Sequence, residues 1–149
     1  MTRLLVLTGT TGYPLLERHV QDLADQHGDL EMILQSPNVQ AERDNLKYSQ
    51  FLDLDTLDGS KLSAVIGHCG AGTVFWTLER GLPLIAIVDL MRPDDHQEDL
   101  GNWVRQKNYG LVLMNRGPTY EEILKLTAAS FATYRAEPFS IKGIEKFLH

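Results

Sequence analysis

Seven residues between an apolar run and a helical stripe carry the most chemistry in this chain: Gly67-His68-Cys69-Gly70-Ala71-Gly72-Thr73. Glycines let a backbone approach a ligand closely, and the first turn of a helix presents N–H groups with no partner inside the helix. Those groups and the positive end of the helix dipole suit a phosphate or a diphosphate. Thr73 adds a hydroxyl donor or caps the helix. The same residues also read as a tight strand-to-helix turn that binds nothing, and spacing alone does not separate the two readings. The loop is not a P-loop, because no Gly-Lys-Ser/Thr closes it. Nor do glycines at 67, 70 and 72 have the G-x-G-x-x-G spacing.

Two other loops have chemical character. Thr8-Gly9-Thr10-Thr11-Gly12 follows the first apolar run and suits a phosphate or the floor of a cleft. Asp94-Asp95-His96-Gln97 precedes a helical pattern. Asp95 fits an N-cap, Asp99 lies in the first turns, and the Gln97 amide both donates and accepts, as hydroxyl-rich ligands such as sugars require. A capped, solvated helix start accounts for the same four residues. His19 and His27 read as helix-surface residues, and Trp76 and Trp103 as packing residues.

The elements that position these loops follow from the apolar pattern. Leu4–Leu7 is a buried strand, and Pro14 opens a helix whose inner face is Leu15, Leu16, Val20, Leu23 and Ala24, closed by Gly28. Residues 30–34 form a second strand and residues 48–52 a third. A short helix is expected over 55–62, then a buried strand at 64–66. A helix over 74–80 ends at Gly81, followed by a strand at 84–88. Leu100, Trp103 and Val104 face inward from a helix over 95–107. A strand at 111–114 and an amphipathic helix from Tyr120 to Phe131 follow. Such alternation predicts an α/β fold, a doubly wound parallel sheet in a single domain over 1–149. In such sheets ligands bind beyond the carboxyl ends of the strands, where all three loops lie.

Bulk composition excludes some functions. Net charge is −6, with no run of Lys and Arg, which argues against nucleic acid as a partner. The single cysteine, Cys69, allows no intrachain disulfide. No apolar run approaches the length of a membrane span.

Four segments in order resemble one family. Val6-Leu7-Thr8-Gly9-Thr10-Thr11, Val65-Ile66 with the following Gly67–Thr73 loop, Gly81-Leu82-Pro83-Leu84-Ile85, and His96-Gln97 are similar to the C-terminal domain of glycosyltransferase family 28, over residues 3 to about 114. Small catalytic subunits of two-part transferases belong to that family, those making dolichol-linked chitobiose and bacterial exopolysaccharides among them. The resemblance implies a Rossmann-like, single donor-binding half of a GT-B enzyme. It implies inverting transfer from a UDP-sugar, with no metal and no cofactor. Gly70, Ala71, Gly72 and Thr73 would touch the nucleotide or diphosphate, and His96 and Gln97 would face the sugar. Gly9, Thr10, Thr11 and Tyr13 would line the cleft.

The family usually has a Glu that binds ribose where this chain has Trp76; Glu79, one turn later, is the candidate replacement. Its Asn before His-Gln is Asp95 here, which leaves the sugar open. Asp53-Leu54-Asp55 has the D-x-D spacing of metal-dependent glycosyltransferases of another fold class, and here reads as a helix cap. The catalytic base is unassigned. His68 is the nearest titratable group in the loop, and a buried, hydrogen-bonded histidine is the competing account. The resemblance further implies a separate, membrane-attached subunit that binds the acceptor and holds this chain at the cytoplasmic face. Phe139, Ile141, Ile144, Phe147 and Leu148 are the candidate docking cluster. Two alternatives remain: a non-catalytic nucleotide-sugar-binding or regulatory module, and a nucleotide-binding oxidoreductase domain, which lacks its glycine signature here.

Overall fold

In the computed structural model, residues 2–38 and 41–136 are described. Six parallel strands form one sheet: β1 (Thr2–Leu7), β2 (Leu30–Gln35), β3 (Leu46–Ser49), β4 (Ala64–His68), β5 (Leu84–Val88) and β6 (Leu111–Met114). Their spatial order is β3-β2-β1-β4-β5-β6, the order of a Rossmann sheet. The chain reverses direction of winding between β1 and β4. The crevice at that switch point is where such sheets take ligands.

Strand residues alternate between two buried faces, so near-continuous apolar runs are required. On one face Leu4, Val6, Ala64, Ile66, Ile85 and Ile87 pack with α1 (Pro14–Gln26) and α4 (Tyr120–Ala128), through Leu16, Val20, Ile123 and Leu126. On the other, Leu84, Ala86 and Val88 pack with α2 (Ala71–Glu79) and α3 (His96–Gln106), through Val74, Leu78, Leu100 and Val104. Leu5, Leu7 and Val65 lie on this second face under Trp76 and the segment carrying Leu52, Leu54 and Leu57.

The expected strands at 30–34, 84–88 and 111–114 form, and the helix at Pro14 does too. Several boundaries and one element differ. The third strand lies at Leu46–Ser49 rather than 48–52. The helix expected over 55–62 is absent except for a single 3-10 turn at Gly59–Lys61. Its aspartates turn the backbone instead: Asp53 Oδ1 accepts the Asp55 N–H at 3.1 Å, and Asp58 Oδ1 accepts the Ser60 N–H at 3.0 Å. Local side-chain acceptors of this kind compete with helix formation. The Asp53-Leu54-Asp55 motif therefore sits in a turn and caps no helix. Helix α1 is capped at His27, one residue before Gly28. The proposed docking cluster at 139–148 lies outside the described residues.

Candidate functional site

The β4–α2 turn is built around one imidazole. Gly70 is the N-cap of α2, in an extended conformation, and offers no side-chain cap. Helix α2 starts at Ala71, so Thr73 is its third residue and not its cap. A Cβ on Gly70 would overlap His68 Cε1 and lie 2.8 Å from Nδ1. From the opposite side, a Cβ on Gly9 would lie 2.9 Å from His68 Nε2, and Gly9 also has φ of 78°. Thr73 Oγ1 contacts His68 Nε2 at 3.2 Å, and the Thr73 methyl fills the space that a Cβ on Gly67 would need. Three glycines expected to admit a ligand thus admit His68 and Thr73. Burial, and then the positive charge of Arg92, push the His68 pKa down to about 4, against the pull of Asp89. The imidazole is neutral at pH 7.

Gly72 is different. It is exposed, and a Cβ there would meet no atom within 4 Å. No side chain caps the start of α2, so its first-turn N–H groups, those of Ala71 and Gly72 among them, have no capping partner. This is the anion-favouring end of the helix.

Beside that turn is a cavity of about 150 Å³ lined by His68, Gly70, Ala71, Arg92, Asp94, His96 and Gln97, with Cys69 and Leu100 at its base. The loop after β5 and the start of α3 form its far wall. Gln97 is only 6% exposed, and its Oε1 accepts the Asp89 N–H at 2.9 Å. That bond fixes the amide orientation and leaves the Nε2 donors toward the cavity. His96 is exposed, with Nδ1 3.8 Å from Asp94 Oδ1. Asp94, rather than Asp95, accepts the His96 N–H at 3.2 Å and so caps α3; Asp95 holds the N-cap position without a side-chain bond. Cys69 is buried, and burial raises its pKa to about 12, which makes it a packing residue and no nucleophile. A second cavity of about 450 Å³, lined by Asp89, Arg92, Asp94, Asp95 and Glu98, adjoins the first.

The loop after β1 is held from beneath. Thr8 Oγ1 donates to the Gln35 carbonyl at 2.8 Å, and Gln35 Nε2 reaches the Gly9 carbonyl at 3.3 Å. Tyr13 donates its N–H to Glu17 Oε2 at 2.8 Å and its hydroxyl to Asn115 Oδ1 at 2.9 Å, which ties this loop to the end of β6. Burial, then Asp89, raise the Tyr13 pKa to about 12. The Glu17 carboxylate, 1% exposed, also accepts from Ser36 Oγ. Thr10 and Thr11 are exposed on top of this frame.

Not every expected site residue joins the cluster. His68, Gly70, Ala71, His96 and Gln97 share the cavity, Gly9 and Thr73 enclose His68, and Gly72 opens beside them. Glu79 does not join. It lies in the last turn of α2 and lines a separate cavity with Gly81, Leu82 and Pro83, at the start of β5 and so at the opposite ends of the strands. A helix of nine residues puts roughly 12 Å between its ends. Trp76 is buried against Leu5, Leu7 and Val65, and its Nε1 donates to the Leu54 carbonyl at 3.2 Å. The sequence reading missed Arg92 and Asp89. Arg92 is the one Lys or Arg between Arg80 and Arg105, placed just before Pro93-Asp94, and that isolation was the available signal. Among the described residues, no group of three or more His, Cys, Asp or Glu is placed to hold a metal, and no helix is long and apolar enough to cross a membrane.

Comparison with known proteins identifies the family and the fold. The glycosyltransferase family 28 C-terminal domain matches residues 3–130. Among solved structures, the glycosyltransferase SnogD from Streptomyces nogalater aligns with a TM-score of 0.65 at 20% identity, over 85% of this chain and 35% of its own. VinC, a glycosyltransferase solved in complex with DTDP, gives 0.62 at 18% identity, over 99% of this chain and 37% of its own. The chain thus spans little more than a third of the length of either transferase. A phenylacrylic acid decarboxylase from Aquifex aeolicus also aligns, at 0.52 and 12% identity, over 91% of its length. At these identities the likenesses establish the fold and nothing finer.

Proposed function

The chain belongs to the glycosyltransferase family 28 C-terminal domain family, and from that premise we propose that it is the donor-binding half of a UDP-sugar-dependent, inverting glycosyltransferase. The observation that carries the reading is the uncapped start of α2, open at Gly72 and facing a cavity into which the buried Gln97 amide projects. The diphosphate sits on the N–H groups at Ala71, Gly72 and Thr73, and the sugar lies toward His96 and Gln97. Thr10 and Thr11 face it across the crevice.

In the transfer, an acceptor hydroxyl oxygen attacks the anomeric carbon from the face opposite the diphosphate. The bond from that carbon to the β-phosphate oxygen breaks, and its electron pair leaves with UDP. Oriented N–H groups and the helix dipole stabilise the developing charge without reorganising. The acceptor proton goes to a base on another chain or domain. His68 is a poor base in this position, being enclosed by Gly9, Gly70 and Thr73 and held neutral with a pKa of about 4. We place the acceptor and the base on a membrane-attached partner subunit, with this chain peripheral at the cytoplasmic face and active only in the complex. Exopolysaccharide or lipid-linked oligosaccharide synthesis is the matching role.

Isothermal calorimetry with UDP in EDTA tests the reading, and binding in the millimolar range or tighter is expected. A folded chain that gives no heat with millimolar UDP overturns it. A second reading, a non-catalytic nucleotide-sugar-binding or regulatory module, is favoured by Trp76, which leaves α2 without a carboxylate near the crevice. A panel of UDP-sugars supplied to the assembled complex separates the two: UDP release with one donor supports the enzyme, and release with none supports the module.

A further inference from the structure

We infer that Arg92 binds the donor diphosphate, closing the anion site from the side opposite the start of α2. This rests on the donor-binding reading above and adds a residue to it. Arg92 lines the same cavity as Gly70, Ala71 and Gln97. Its charge acts on the His68 imidazole, which stands directly behind Gly70, so the guanidinium field reaches the α2 start. No hydrogen bond or ion pair engages the guanidinium among the described residues, although Asp94 lines the cavity with it. Asp94 is turned to the His96 N–H and ring instead.

Three positive features therefore converge on about 150 Å³: uncapped N–H groups at the α2 start, the free Nε2 donors of a Gln97 that is 6% exposed, and one cation that no described residue pairs. All three are donors, and the one carboxylate in the cavity, Asp94, is already turned to His96, so an acceptor-rich anion is what satisfies them together. A diphosphate has oxygens on two phosphorus atoms. It can meet the helix start with one and a guanidinium fork with the other. Arg92 also stands at the border with the larger cavity, whose other charged lining is Asp89, Asp94, Asp95 and Glu98. The anion stays on the Gly70 side of that border, where Asp94 is the one carboxylate, since Asp89, Asp95 and Glu98 join Asp94 on the other.

The test compares the full chain with Arg92→Gln and Arg92→Lys, by calorimetry with UDP and UMP in EDTA. Arg92 is exposed and holds no hydrogen bond, so both variants should fold; circular dichroism and urea midpoints check this. Arg92→Gln is expected to weaken UDP by about tenfold or more, as loss of a hydrogen bond to a charged group does, and UMP by less. Arg92→Lys should fall between. Raising the salt should narrow the gap between wild type and Arg92→Gln. UDP affinity in Arg92→Gln within about twofold of wild type overturns the inference and leaves the donor reading standing. Equal loss for UDP and UMP also overturns it, since it assigns Arg92 to loop shape. A wild type that binds neither nucleotide overturns the donor reading itself, and Arg92 with it.

Discussion

Replacing Gly70 with alanine separates two explanations for this glycine. If it admits a ligand, the cost appears in binding. If it admits His68, the cost appears in stability. The backbone at Gly70, φ −92° and ψ 150°, is open to any residue, so alanine carries no conformational penalty. It would even stabilise by about 0.4–1 kcal/mol through the unfolded chain. The added Cβ, however, overlaps His68 Cε1. The other side of the ring faces Gly9, where even one Cβ would lie 2.9 Å from Nε2, so retreat carries the ring onto the Gly9 backbone. Overpacking of this kind costs about 1–3 kcal/mol. Displacing the ring also breaks its bond to Thr73 Oγ1, worth about 0.5–1.5 kcal/mol. Net destabilisation of about 1–3 kcal/mol follows once the entropic gain is subtracted. In a His68→Ala background the obstruction is gone, and Gly70→Ala should be neutral or slightly stabilising. Urea denaturation of the four proteins, followed by the fluorescence of Trp76 and Trp103, gives the coupling energy. A coupling near 2 kcal/mol is expected. Coupling below about 0.5 kcal/mol, or a Gly70→Ala protein as stable as wild type, refutes the packing explanation.

Gly72→Ala is the complementary case: the side chain meets no protein atom, so stability should hold or rise by roughly 0.5–1 kcal/mol while UDP affinity falls, both read on one preparation by denaturation and calorimetry. For His68, the folded pKa of about 4 lies below the ordinary 6.5, so the unfolded chain binds the extra proton between them. Its contribution to stability is full above pH 6.5, is lost as the pH falls to 4, and is flat below; a His68→Ala protein should lack that slope in urea midpoints measured across pH. Glu17→Ala strands the Tyr13 N–H and the Ser36 hydroxyl in a buried site and should cost about 2–4 kcal/mol, and a cost under about 1 kcal/mol would show that the loop repairs itself. Trp76→Phe keeps the apolar contact and loses the bond to the Leu54 carbonyl, so about 1 kcal/mol and faster amide exchange over residues 52–57 are expected.

The sheet was legible because its physics is local. A strand buried on both faces has to be an unbroken apolar run, and Leu4–Leu7, Ala64–Ile66 and Leu84–Val88 can be little else. The position of the crevice followed from topology, since each βα loop must emerge at a carboxyl end. The helix expected over 55–62 did not form because the aspartates of this interval have a nearer partner. Leu52, Leu54, Leu57 and Leu62 do cover the sheet, but as an irregular segment. The Asp53 and Asp58 carboxylates take N–H groups two residues on, before a helix can use them.

The site was harder because its decisive contacts join residues far apart in sequence. Gly9 and Gly70 look alike as loop glycines, and both are needed by one imidazole that neither neighbourhood advertises. Arg92 gives no periodic signal, as an exposed residue in an irregular loop, yet it lines the cavity at the helix start and pairs with no carboxylate among the described residues. Trp76 shows how far the family pattern can be carried. A carboxylate at 76, in the side-chain direction Trp76 takes, would be buried against Leu5, Leu7 and Val65 and would cost several kcal/mol unless it turned outward. The indole fits there, and by bonding the Leu54 carbonyl it holds the 52–57 segment over the sheet. Position 76 makes a structural contact where the family resemblance implies a polar one, and Glu79 lies at the other end of the strands. If the chain binds the donor as proposed, affinity must then rest more heavily on the diphosphate than on the ribose. A chain of this kind should discriminate weakly between UDP and dTDP and strongly between diphosphate and monophosphate.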